Sequence, residues 1–396
     1  MSSIKDPRWA TDTLYTGGPD NGTPTRVEPT SGLRAQGVEP SDVLTAQLFN
    51  ELIGVHGDIL HRYQLLEWAQ TTAITDDALS KPGSAPYSPG GTQVIRWLNF
   101  DAAPGVYGMV DQNDDTLFSV TGYEWVGGGN ITGMTGCHDL IGFENSILAS
   151  GGGGVYIANQ TFAPGSTPGT TWANVVSLTG ARKFARDNHS RVGVAALTQG
   201  VRTSTAAGSG WVSATMPTPP SGTDSYTQLA FGAGVGWVAA GANGSSIVIA
   251  TSTDGVTYTD RRATAPAGAF AAGLVFDGVN AFYLMSDANI LYKSLDGITW
   301  TAIRDFSPTV FEMGLFRFGE LSARDGAVWL PFRQGIAATT DGGATFQLVW
   351  HEGAFASTAT IFQTINSVSF DGPRTMIAGQ PPLCIGAVRY PFKTLG

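Results

Sequence analysis

Charge is scarce in this chain. Only 14% of its 396 residues are Asp, Glu, Lys or Arg, and the balance is acidic, with a formal net charge of −10. No run of Lys or Arg occurs anywhere. Binding to nucleic acid through its phosphates needs clustered cations, so that class of partner is excluded. Cysteine is almost lacking too: Cys137 and Cys384 are the two present. They exclude a disulfide scaffold, and a buried free thiol is the expectation for each. No apolar stretch is long enough to span a bilayer, so membrane insertion is not expected. The segment Met1 to Trp9 has no apolar core of the kind a signal peptide carries, which disfavours ordinary secretion. The sequons at Asn21, Asn130, Asn159, Asn188 and Asn243 therefore read as turn chemistry.

What is abundant is glycine, at 52 residues, with 21 prolines. That composition suits many short strands joined by turns. Three segments repeat one pattern: Ser252-Thr-Asp254-Gly255-Val-Thr-Tyr258, Ser294-Leu-Asp296-Gly297-Ile-Thr-Trp300 and Thr339-Thr-Asp341-Gly-Gly343-Ala-Thr345-Phe346. Their closing aromatics stand at 258, 300 and 346, steps of 42 and 46 residues. A period of this size is the mark of a repeat architecture. Asp and Gly provide the tight turn, through side-chain bonds to backbone amides and through access to positive φ. The aromatic then opens an outer strand and packs between neighbouring units. The period continues upstream in weaker form through Trp211, Trp172 and Trp125, with Ala206 where the Asp would stand.

These segments resemble Asp boxes, the hairpin motif of sialidase-type β-propellers. The resemblance implies an all-β fold, a seven-bladed propeller of four-stranded blades over 92–396. The blades are expected at about 91–128, 129–178, 179–218, 222–264, 266–306, 308–354 and 356–396. The last lacks a strand, which the segment Thr92 to Trp97 is expected to supply, closing the ring and protecting its edges. In that family the box residues sit on the outer rim and serve folding rather than catalysis.

The first ninety residues differ in kind. Residues 1–40 are polar and without period, and read as an extended arm. From 41 to 79 a helix is expected, capped by Ser41, with Leu44, Leu48, Leu52, Val55, Ile59, Tyr63 and Leu66 on one face at spacings of 4, 4, 3, 4, 4 and 3. Such a face either packs on the propeller or docks and oligomerises. Residues 80–91 form a Pro/Gly/Ser linker. The stretch from Gly32 through Pro40-Ser41-Asp-Val-Leu44-Thr-Ala46-Gln-Leu48-Phe49-Asn50 is similar to the N-terminal segment of tailed-bacteriophage virion proteins. That resemblance implies a virion location and contacts with other virion proteins through residues 1–79. A propeller displayed for host-surface glycan or protein binding is implied as well, with a homo-oligomer among the outcomes.

A sialidase-type glycoside hydrolase is the enzymatic alternative. Its chemistry needs three converging arginines, a Tyr nucleophile helped by Glu, and an acid. The sequence departs from that pattern: Arg96 is followed by Trp97 and Leu98, and Arg317, Arg333 and Arg374 are scattered through the later blades. A purely structural collar or adaptor shares every feature of the binding reading. No cofactor and no metal is expected. Cys137-His138-Asp139 has two metal-capable types, but adjacent strand residues point to opposite faces, which favours a structural role. Asp111 to Asp115 reads as a solvated hairpin, Asn188-His189 as a blade turn, and Gly151 to Gly154 as a backbone pinch between strands. If a ligand funnel exists, topology nominates His138, Arg182, Lys183, Tyr226, Phe270, Glu312 and Arg317, on the loops leading into inner strands.

Overall fold

The computed structural model describes residues 92–100, 105–111, 113–119, 126–158, 171–187, 190–220, 222–307, 320–332, 335–351, 364–370, 375–380, 384–386 and 393–395. The expected arm, helix and linker lie outside the described residues, as do Glu312, Arg317, Arg333, Arg374 and Asn188-His189. The described chain is all-β apart from 3-10 structure at Arg262–Thr264 and at Ser307.

Its strands form consecutive antiparallel sheets, each written here from the axis outward. The first holds β1 (Thr92–Leu98), β2 (Val106–Asp111), β3 (Asp115–Ser119) and β4 (Val126–Asn130). The second holds β5 (Cys137–Phe143), β6 (Ser146–Gly151), β7 (Gly154–Ala158) and β8 (Trp172–Ser177). The third holds β9 (Ala181–Arg186), β10 (Val192–Ala196), β11 (Gly200–Ser204) and β12 (Val212–Ser213). In the fourth are β13 (Ser225–Gly232), β14 (Gly236–Asn243), β15 (Ser246–Ser252) and β16 (Thr259–Asp260). In the fifth are β17 (Ala271–Phe276), β18 (Phe282–Ser286), β19 (Ile290–Ser294) and β20 (Thr301–Asp305). The sixth runs β21 (Ser322–Arg324), β22 (Ala327–Pro331), β23 (Gly335–Thr339) and β24 (Phe346–His351). A last sheet has three strands, β25 (Thr364–Phe370), β26 (Thr375–Gln380) and β27 (Cys384–Gly386).

This is a β-propeller. Six sheets, not the expected seven, carry the four-stranded meander; the remaining one has three strands among the described residues. The expected closure also differs. β1 pairs with β2 in the first sheet rather than completing the last one. The C-terminal β28 (Lys393–Leu395) instead adds to the outer edge of the sixth sheet, beside β24. The inner strands β1, β5, β9, β13, β17, β21 and β25 each pack beside the next, and β25 packs beside β1, so the circle closes by packing rather than by a shared sheet.

The cores lie between sheets rather than within them. Leu98, Val110 and Phe118 of the first sheet pack with Leu140, Ile147 and Tyr156 of the second. Tyr283, Met285 and Leu291 of the fifth pack with Leu330, Ala337 and Phe346 of the sixth. A middle strand therefore buries both faces, and β10, β18 and β23 are buried at every position. That is why their sequences read as continuous apolar runs instead of alternating ones.

Each recurrent turn joins a third strand to an outer strand. In the fourth sheet the Ser252 hydroxyl donates to Asp254 Oδ1 (2.8 Å) and accepts from the Gly255 amide (2.9 Å). Asp254 Oδ1 accepts from the Val256 and Thr257 amides at 2.8 and 2.9 Å. Asp296 repeats this with Ile298 and Thr299, and Asp341 with Thr345. Gly255 and Gly297 sit at φ +71° and +70°, the left-handed region the turn demands. A Cβ on Gly297 would lie 2.6 Å from Val238 Cγ2 of the preceding sheet, and Lys293 Nζ donates to the Gly342 carbonyl at 2.8 Å. The turns thus pin one blade to the one before it. Tyr258 and Phe346 are buried beneath them, 5% and 2% exposed. Where Ala206 replaces Asp, Ser204 serves the turn alone and Glu144 of the second sheet accepts the Ala207 amide at 3.2 Å.

One other expectation is corrected. Asp111 to Asp115 is a hairpin, but Asp111 and Asp114 are buried. Asp114 accepts the Gly136 and Cys137 amides (3.3 and 3.0 Å), which fastens the first sheet to the second. Gly151 to Gly154 is the expected pinch: a Cβ on Gly154 would meet the Val176 carbonyl oxygen. Cys137 is a buried free thiol, its pKa pushed up by burial, while the Cys384 side chain lies outside what is described.

Candidate functional site on the propeller axis

An inner strand has one edge paired and one edge facing the axis. Its axial amides need partners, and side chains supply them. The Ile95 and Trp97 amides donate to the hydroxyls of Ser367 and Ser369 (3.1 and 2.7 Å), and the Phe184 amide donates to Asp139 Oδ2 (3.0 Å).

Bulges set which side chains reach inward. In six inner strands the register slips by one residue near the start: between Thr92 and Val94, Cys137 and Asp139, Ala181 and Phe184, Tyr226 and Gln228, Ala271 and Gly273, and Ile365 and Ser367. A bulge re-aims its side chain and breaks strict alternation. His138 lies at the slip between Cys137 and Asp139, so simple alternation does not order it against Asp139.

Past the bulges a charged belt crosses the axis. Arg96 Nε lies 2.6 Å from Asp139 Oδ1, and its Nη1 and Nη2 lie 2.9 and 3.3 Å from the two oxygens of Glu320. Arg96 Nη1 also donates to Ser367 Oγ (2.8 Å), whose hydroxyl donates to Glu320 Oε2 (2.6 Å). Lys183 Nζ stands 3.4 Å from Asp139 Oδ1. The first, second, third and last sheets and the approach to the sixth are tied in one network. Two cations face two carboxylates, so the belt is neutral. Burial pushes the Asp139 carboxyl up, but Lys183, then Arg96 and the Phe184 amide outweigh it and hold it below the usual range. Arg96 is driven the other way: burial disfavours its charge, yet Glu320 and Asp139 raise its pKa well above normal. Beneath the belt a cavity of about 250 Å³ runs between inner strands, lined by Arg96, Asp139, Lys183 and Arg186 and by Leu229, Phe231, Leu274 and Phe276.

Of the nominated funnel residues, the structure joins His138 to Arg182 and places Lys183 in the belt. Arg182 Nη1 lies 3.0 and 2.8 Å from the two ring nitrogens of His138. Burial, then Arg182, lowers the His138 pKa to about 4, so the ring is neutral at pH 7. Tyr226 belongs to a separate cluster. Buried, it donates to Asp224 Oδ2 (3.3 Å), which pairs with Arg262 (3.0 Å). Phe270 is 40% exposed just ahead of β17. Glu320 and Ser367 were missed by the sequence reading, Asp139 was weighed only within Cys137-His138-Asp139, and Arg96 only as a sialidase arginine. A signal for them exists: a polar residue followed by a large apolar one recurs at Asp139-Leu140, Lys183-Phe184, Gln228-Leu229, Glu320-Leu321 and Ser367-Val368. The hydrogen-bonded pairs bracket steps of 44 and 47 residues.

No family model matches the chain, and no curated protein matches it. Solved structures match the fold. YCF48 bound to a D1 peptide superposes with a TM-score of 0.53 at 14% identity, covering 79% of this chain and 99% of that one. YCF48 from Cyanidioschyzon merolae gives 0.54 at 13%, covering 81% and 98%. The extracellular domain of the putative hybrid two component system BT4673 from B. thetaiotaomicron gives 0.54 at 12%, covering 76% of this chain and 38% of that one. At these identities the likeness is one of propeller architecture.

Proposed function

We propose that this chain is a non-catalytic binding propeller of a bacteriophage virion. In this reading residues 1–79 dock it on the particle or join copies of it, and the propeller is displayed toward a host-surface glycan or a protein partner. The observation that carries the non-catalytic part is the axial belt. A hydrolytic propeller needs carboxylates free to act as acid, base or helper of a nucleophile. Among the described residues the axial carboxylates Asp139 and Glu320 are both committed to Arg96, and Asp139 to Lys183 as well. Arg96, the arginine nearest the place where a sialidase would begin its triad, is spent on this belt. The virion part rests on the similarity of residues 32–50 to phage virion segments. The recurrent Ser-x-Asp turns support kinship with Asp-box propellers as a scaffold. A peptide bound to YCF48, a propeller of like architecture, is in keeping with protein contact as a role. In the same reading the three-stranded sheet is the closing member of a seven-membered ring.

The test is a mass determination of the full chain beside a chain starting near Gly90, which spares every described strand. The reading expects self-association, or capture by a virion partner, that is lost with residues 1–89, and no cleavage of any glycan the propeller retains. Release of a saccharide product, abolished by Asp139→Asn, would establish the hydrolase instead.

A further inference from the structure

Every charge in the axial belt has its counter-charge, and Arg182 stands apart from that arrangement. It sits on the β9 bulge, beside His138 on the β5 bulge. Its contacts among the described residues are the two His138 ring nitrogens, at 3.0 and 2.8 Å, and no carboxylate pairs with it. Its Nε is buried and has no hydrogen-bond partner. Its backbone is fixed, because Ser150 Oγ of the second sheet donates to the Arg182 carbonyl. Thr227, on the bulge of the next inner strand, is 9% exposed.

Half-buried and without a counter-charge among the described residues, the Arg182 guanidinium presents a planar fork that matches the two oxygens of a carboxylate or phosphate. Neutral imidazole gives it an acceptor but no charge. We infer that Arg182 and His138 form a binding site for one oxyanion, a carboxylate or a phosphate group, at the end of the axis where the inner strands begin. The anion takes the side of the guanidinium left exposed at its Nη atoms. His138 then becomes the second donor, since an anion beside it favours the imidazolium that Arg182 alone suppresses. The inference does not depend on the virion reading, as a small anion reports on it directly.

The experiment is an NMR pH titration of the full chain, which has five histidines, with His138 assigned by loss of its signal in His138→Gln. Without added anion the His138 ring should stay neutral to about pH 4. Saturating acetate, or in a second arm inorganic phosphate, should raise its pKa by about one unit or more, saturably. A response to acetate alone assigns a carboxylate ligand, and one to phosphate alone assigns a phosphate ligand. In Arg182→Gln the His138 pKa should rise without any anion and stop responding to it. Arg182→Lys, which keeps the charge and loses the fork, should respond more weakly; it serves where Arg182→Gln does not fold. No shift with either anion, or an equal shift in Arg182→Gln and Arg182→Lys, overturns the site.

Discussion

The outer rim and the axis of this propeller solve the same problem by opposite means. Both hold one blade against the next. At the rim, each Ser-x-Asp turn satisfies itself within about five residues: Asp254 accepts Val256 and Thr257, and Asp341 accepts Thr345. On the axis, the charge pairs are all long-range. Arg96 reaches Asp139, Glu320 and Ser367, separated from it by 43, 224 and 271 residues. The rim is therefore modular, a small stabilisation repeated around the ring. The axis is collective, because each charge there is tolerable only while its partner stays in place.

Breaking the axis should cost most. Arg96→Ala leaves Glu320 buried without its paired cation and Asp139 with Lys183 alone, and a loss of about 3–5 kcal/mol is expected in urea unfolding. Arg96→Ala with Glu320→Gln should recover part of that loss. An equal or larger loss in the pair would show the belt is not a charge-balanced unit.

Next in size is a pH effect on the axis. His138 has a folded pKa near 4 against an ordinary 6.5, so the unfolded chain takes up its proton first. Stability from this group is complete above about pH 6.5 and falls as pH drops toward 4, by at most about 3 kcal/mol. Thermal melts of His138→Gln should lack that component. The carboxylates act lower. Asp139 and Asp341 have depressed folded values, Asp341 near 2 through its bonds to Thr345. Their stabilisation is present above about pH 4 and is lost only as pH falls through those folded values.

Single changes at the rim should be smaller and nearly additive. Asp296→Ala removes the acceptor of the Ile298 and Thr299 amides and should cost about 1–2 kcal/mol. With Asp254→Ala the losses should sum within about 0.5 kcal/mol if the turns are independent. Smallest is Glu144→Gln, which weakens one bond to the Ala207 amide in the turn that lacks its Asp; about 0.5 kcal/mol is expected.

The same contrast explains what the sequence disclosed. The rim turns were legible because their chemistry is written in consecutive residues: Asp for the amides, Gly for positive φ, an aromatic for the next strand. Six of the sheets follow the spacing of those aromatics. The axis was obscure because Arg96 and Ser367 meet only once the ring has closed, and because the bulges shift Asp139 and Lys183 out of simple alternation. The strand completing the last sheet was misassigned for a related reason. An apolar run such as Thr92 to Trp97 states that it is a strand, not which neighbour it pairs with. His138, Arg182 and Lys183 were found by topology, since the start of an inner strand leads to the axis. Tyr226 satisfied the same rule, and Asp224 draws it away.

Amide hydrogen exchange in Arg96→Met tests the collective axis most directly. The Ile95 and Trp97 amides, held by Ser367 and Ser369 across the junction of first and last sheets, should lose protection selectively, while the β14 amides of the fourth sheet, remote from the belt, should keep theirs. Unchanged protection at Ile95 and Trp97, or an equal loss in β14, would contradict the claim that the belt holds the ring closed at that junction.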